Sequence, residues 1–202
     1  MKLTTKILCC LVLPATLTSW GQTERRGLAQ ASSNSFARST DNLQAPDHGG
    51  KIESRYDGFN HETIVTLNKM RITCGSVKGN FKDACVSFVA ALHCPGIQLD
   101  YVRYASLQLV FQTKDWDQRH PLNQRQLSVV ADGDTSRLGQ MKLVSQSVDT
   151  LMTEVLEVTV PYAVFLKIAR AQVVEMKVGN TEFELRPQNL AALRDLNNRV
   201  KL

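Results

Sequence analysis

The sequence predicts an α+β fold: an antiparallel β-sheet or sandwich of six to eight strands, with two C-terminal helices flanking a β-hairpin. Three observations carry this. Short runs between Thr63 and Val160 alternate apolar and polar residues with period two, as half-buried strands do. After Pro161 the apolar residues fall at helical spacing, interrupted by a Gly-Asn turn between two short apolar runs. Strand and helix units do not alternate along the chain, which argues against a parallel, doubly wound sheet.

Thr63–Thr73 is the first predicted strand. Val86–Leu92 is more uniformly apolar, as suits a strand buried on both faces. In the next strand Leu107, Leu109 and Phe111 alternate with Gln108, Val110 and Gln112, before the acidic Asp115-Trp116-Asp117. Gln126–Ala131 leads into Asp132-Gly133, a strong turn signal, and Leu138–Ser145 returns from it. Thr153–Val160 again alternates. Pro161 suits a helix start, and Tyr162, Phe165, Leu166 and Ala169 share one helical face, with Lys167 and Arg170 at the C-terminal end. Val173–Val178 and Thr181–Leu185 flank Gly179-Asn180, where glycine meets the requirement of a type II′ turn. A last helix begins near Gln188, with Leu190, Leu193, Leu196 and Val200 along one side.

The N-terminus predicts export. Lys2 and Lys6 precede an apolar run of about 11 residues, Ile7–Leu17, and Ser19-Trp20-Gly21 places small residues at the cleavage positions. Residues 1–21 are therefore expected to be a signal peptide, and a periplasmic or extracellular location follows. A membrane helix needs about 20 apolar residues, more than this run offers, so no transmembrane segment is expected in the mature chain. Residues 22–50 are rich in Ser, Asn and Asp and read as a disordered polar linker; residues 51–202 suit a single β-rich domain. Loss of Lys2 and Lys6 lowers the formal charge from +5 to +3. The only adjacent basic pair before the domain is Arg25-Arg26, too little for the basic stripe that nucleic acid requires.

Cys74, Cys85 and Cys94 remain after export, an odd number in an oxidising compartment. If Val86–Leu92 is a strand, Cys85 and Cys94 stand roughly 30 Å apart, whereas a bridge needs Cα atoms within about 7 Å. Cys74 and Cys85 close the loop between two antiparallel neighbours, so they are the expected disulfide. The alternative is three buried, reduced cysteines. A nucleophilic cysteine needs a histidine in reach. His93 and Cys94 are adjacent in a strand and so point to opposite faces. No G-x-S-x-G, H-E-x-x-H or phosphate loop is present, the cysteine spacings lack zinc-ligand pairs, and no cofactor is expected. Asp115, Trp116 and Asp117 are the candidate ligand-binding residues. The carboxylates suit a cation or acid–base work, or simply a turn; Trp116 suits a sugar or a partner if exposed, or the core if buried.

Several short motifs recur together: Tyr56-Asp57-Gly58-Phe59 with Thr63-Ile64-Val65, Pro95-Gly96, Asp115-Trp116, Asp132-Gly133, Tyr162–Ala171 running into Val178-Gly179, Phe183-Glu184-Leu185, and Leu190–Leu196. As a set spanning residues 53–200 they resemble a family of exported bacterial proteins with no assigned function. The resemblance implies a bacterial source and one folded module, and it brings no catalytic residues with it. The functional expectation is a noncatalytic binding or interaction module of the bacterial cell envelope, whose partner is an envelope protein or a glycan. The rival class is an exported hydrolase using Asp115, Asp117 or His120 in a pocket at a strand end.

Overall fold

Ten strands and two helices form the described part of the chain, which in this computed structural model comprises residues 48–75, 78, 84–115 and 119–200. The predicted signal peptide, residues 22–47 of the predicted linker, Trp116 and Asp117 lie outside the described residues. The fold class is the expected α+β, with all strand pairs antiparallel in two sheets of six and four strands.

The larger sheet is built from β1 (Ile52–Asp57), β2 (Glu62–Cys74), β3 (Cys85–Pro95), β4 (Tyr104–Thr113), β8 (Met152–Pro161) and β7 (Lys142–Val148), in that spatial order. A short 3₁₀ turn at Leu122–Gln124 carries the chain into the smaller sheet, ordered β10 (Thr181–Glu184), β9 (Val174–Val178), β5 (Gln126–Ala131), β6 (Asp134–Gln140). One long predicted strand, Leu138–Ser145, is two: the chain leaves the smaller sheet at Gln140 and enters the larger at Lys142, with Met141 buried at the step. Helix α1 (Tyr162–Arg170) follows β8 directly, and α2 (Pro187–Asn198) ends the described chain.

Period-two alternation decides which face each strand buries. Val65 and Leu67 of β2, Ala90 and Leu92 of β3, Leu107, Leu109 and Phe111 of β4, and Leu156 and Val158 of β8 lie on one face of the larger sheet. There they join Leu127, Val129 and Met176 of the smaller sheet, Phe165 and Ile168 of α1, and Leu190, Leu193 and Leu196 of α2 in one core. The void left where both sheets and both helices meet is about 10 Å³, at the limit for a single water.

Polar side chains tie the helices down. Arg194 donates to the carbonyls of Ala169 and Ala171, supplying the C-terminal end of α1 with both charge and donors. Tyr162 donates to Asn197 across the helix pair. Pro187 opens α2, where its missing N–H costs nothing, and Asn189 accepts from the Arg186 N–H while donating to the Arg71 carbonyl of β2. Two turns read from sequence are present: Asp132 and Gly133 both have positive φ, and Gly179 has φ +56 with its α-carbon so close to the Gln124 carbonyl that a β-carbon has no room. At the start of the described residues, the buried ring of His48 contacts Asp195 of α2 at 3.3 Å and accepts from the Gly50 N–H.

Candidate functional site

The β1–β2 loop and the β3–β4 loop meet at one end of the larger sheet, and the sequence of each decides what it exposes. Asp57, the last residue of β1, turns its carboxylate back to accept from the Phe59 N–H at 2.9 Å and from the Asn60 side chain at 3.0 Å. That closes a tight polar turn with Phe59 facing outward. His61 completes the turn at φ 50, a left-handed conformation in which histidine is enriched, and its carbonyl accepts from the Gly96 N–H at 2.8 Å. Thr63 donates to the Gly96 carbonyl at 2.7 Å, so the two loops are joined by a pair of hydrogen bonds. In the second loop Val102 is buried and Leu99 packs on the core, which leaves Ile97 and Tyr101 outside.

The result is an apolar tip. Phe59 is 98% exposed, Ile97 77%, Tyr101 57% and Tyr56 45%. Single exposed apolar residues are ordinary; here Phe59, Ile97 and Tyr101 stand on two bonded loops with Tyr56 beside them near the end of β1, a grouping at one end of the sheet of the kind that marks an interaction site. The Asp57 carboxyl is held below the ordinary aspartate range, first by the Asn60 side-chain hydrogen bond and then by the Phe59 N–H, so it is charged and gripping the turn at neutral pH.

Behind the tip, on the sheet face away from the core, register brings three strands' polar groups into a line. Glu62 of β2 meets His93 Nδ1 at 3.0 Å, and His93 Nε2 lies 3.4 Å from Ser106 Oγ of β4. Tyr104 stacks on the His93 ring at a centroid distance of 4.3 Å, and burial pushes its phenol up, with Glu62 and Glu157 adding to the shift. The order carboxylate, imidazole, hydroxyl is that of an activated serine. Ser106, however, is mid-strand, with β3 on one side and β8 on the other. Its neighbouring amides belong to the sheet ladder rather than to a hole for an oxyanion.

A second histidine cluster lies in the core. His120 Nδ1 is 2.6 Å from Glu154, its Nε2 is 3.2 Å from Thr181 Oγ1, and its backbone N–H reaches the same carboxylate. Arg125 donates to the His120 carbonyl and lies 3.9 Å from Glu154. Both side chains of the His120–Glu154 pair are at most 2% exposed, so no substrate reaches them. This pair holds the chain between β4 and β5 onto β8 and β10.

The disulfide is the expected one: Cys74 and Cys85 are directly paired across β2 and β3, with Cα atoms 4.0 Å apart. Cys94 is free and buried among the core residues, on the face opposite His93, and burial pushes its thiol up. A buried, protonated thiol is a poor nucleophile. Asp115 is exposed just past β4, its N–H donating to Thr113, and no described carboxylate or histidine converges on it in a metal-binding cluster. A groove of about 420 Å³ lies on the outer face of the smaller sheet, lined by Ser128, Val130, Glu175, Lys177, Glu182 and Glu184 among others. Lys177 and Glu182 pair with each other across it. Neither histidine cluster faces that groove.

Sequence reasoning reached the cysteines and missed the tip and the Glu62–His93–Ser106 line. The signal for the tip was an aromatic residue inside a polar turn, Asp57-Gly58-Phe59-Asn60, where nothing local can bury it. The line of three has no sequence signal, because it exists only once β2, β3 and β4 are in register. Among the described residues no helix is long and apolar enough to cross a membrane. Comparison with family models, with curated proteins and with solved structures finds no match, so the resemblance to exported bacterial proteins rests on its motifs.

Proposed function

We propose that the protein is an exported, noncatalytic interaction module of the bacterial cell envelope that docks on an envelope protein or glycan through the Phe59–Ile97 tip. The observation that carries the reading is the exposure of Phe59, Ile97 and Tyr101 on two loops braced by Asp57, Thr63 and Gly96, with Tyr56 exposed near the end of β1. Exposed aromatic side chains on a rigid support lose little entropy on binding and fit both protein pockets and sugar rings. The Cys74–Cys85 disulfide suits an oxidising compartment, in agreement with the signal-like N-terminus.

Cosedimentation with bacterial membrane and cell-wall fractions tests this. The protein is expected to bind one of them, and Phe59→Ser with Ile97→Ser is expected to weaken that binding about tenfold or more, as loss of hot-spot side chains does. Equal binding by the double variant would remove the tip from the account.

A second reading is favoured by one observation, the Glu62–His93–Ser106 alignment: an esterase or amidase with Ser106 as nucleophile, His93 as base and Glu62 orienting the imidazole. Labelling by a fluorophosphonate at Ser106, together with ester hydrolysis lost in Ser106→Ala, would establish it in place of the first.

A further inference from the structure

We infer that β7 is a docking edge for a second copy of this chain, pairing antiparallel with its own counterpart about a two-fold axis at Gln146. The larger sheet ends in β1 on one side and β7 on the other, and the smaller ends in β10 and β6. Free edges invite pairing and are ordinarily guarded by charge. Strand β1 carries Glu53, Arg55 and Asp57; β6 carries Asp134 and Arg137; β10 carries Glu182 and Glu184 and is bridged by Lys78. Strand β7 has one charge, Lys142 at its first position, and all seven of its residues are exposed, including Leu143, Val144 and Val148.

The occupant follows from the register. Against β8, Lys142 pairs with Glu157, Leu143 with Leu156, Ser145 with Val155, Gln146 with Glu154, Ser147 with Thr153 and Val148 with Met152, so Val144 is an extra residue in a bulge. Without the bulge, Leu143 and Val148 would point to opposite faces, five residues apart. With it, both lie on the core side, beside the buried Leu156 and Met152, yet both stay exposed because the sheet ends there.

A two-fold axis through Gln146 now matches every position. Gln146 faces Gln146 of the second copy, Ser145 faces Ser147, and beyond the bulge Leu143 faces Val148. The next position sets Lys142 opposite Asp149, the exposed residue that follows the strand. The face of each residue agrees with that of its partner, as antiparallel pairing requires. Each contact occurs twice: two Lys–Asp pairs outside, two Leu–Val pairs covering apolar surface on the core side. The outcome is a continuous twelve-stranded sheet across two copies, whose closed symmetry stops further addition at this edge.

Sedimentation velocity on the purified protein tests the pairing, and the two charges supply the reagents. The wild type is expected to dimerise. Asp149→Lys sets like charges opposite each other twice and is expected to weaken the dimer about tenfold. Lys142→Asp does the same from the other side, and combining the two substitutions is expected to restore most of the lost affinity. Because Lys142 also faces Glu157 within one copy, the Asp149→Lys result carries the greater weight. Gln146→Cys is expected to give a disulfide-linked dimer on mild oxidation, whereas Thr135→Cys on β6 is not. A monomer at all concentrations, or a dimer indifferent to Asp149→Lys and not linked through Gln146→Cys, overturns the inference.

Discussion

Asp57 controls the tip through three short-range contacts, and the direction of its acidity has a consequence. A carboxyl held below its ordinary value stabilises the fold above the unfolded value, about pH 4, and that contribution disappears as pH falls through the lowered folded value. The Phe59 amide resonance is therefore expected to shift with a midpoint below about 3.9 in an acid titration, and the shift is expected to vanish in Asp57→Asn. A midpoint at or above that value would show that the turn does not depend on the carboxylate. Glu154 acts in the core instead, as a buried carboxyl held by His120 and Arg125. Glu154→Ala leaves those donors without their acceptor and is expected to cost about 3–5 kcal/mol in urea unfolding, with Glu154→Gln costing less because it keeps the volume and an acceptor oxygen. A loss under about 1 kcal/mol for the alanine variant would mean that water replaces the carboxylate.

At the scale of elements, legibility followed how far a pattern reaches. Leu107, Leu109 and Phe111 alternate within one strand, and Asp132-Gly133 and Gly179-Asn180 fix their turns locally, so β4, β5, β9 and β10 were readable. Strand β1 was not: Ile52-Glu53-Ser54-Arg55-Tyr56-Asp57 offers one apolar and one aromatic residue and owes its strand state to pairing with β2. The break at Met141 was missed because no turn residue marks it: Gln140-Met141-Lys142 holds neither Gly nor Pro, and only the burial of Met141 between two strands identifies the step. Glu62, His93 and Ser106 come from three strands, and nothing short of their register unites them. The β2–β3 pair also carries the disulfide. Closing a loop with a sequence separation of 11 is expected to stabilise the domain by roughly 3 kcal/mol. Cys74→Ala with Cys85→Ala should lower the thermal midpoint accordingly, and an unchanged midpoint would mean that the strand pairing alone holds the loop.

For the whole molecule, binding and structural polarity are divided between places. One end of the larger sheet presents apolar side chains beside braced loops, the core encloses the His120–Glu154 pair, and among the described residues β7 forms an edge of the larger sheet. The Glu62–His93–Ser106 line stands directly behind the tip, so a partner seated on Phe59 and Ile97 would also approach it. The two readings of function therefore differ in what touches the protein first and in what happens next. A photoreactive benzoylphenylalanine placed at Phe59, with a control at Asn180 in the β9–β10 turn, separates them in intact bacterial envelopes. The account predicts a discrete crosslinked product from position 59, absent from position 180, and unchanged when Ser106→Ala is added. Crosslinking equal at both positions, or none at position 59, would contradict docking through the tip.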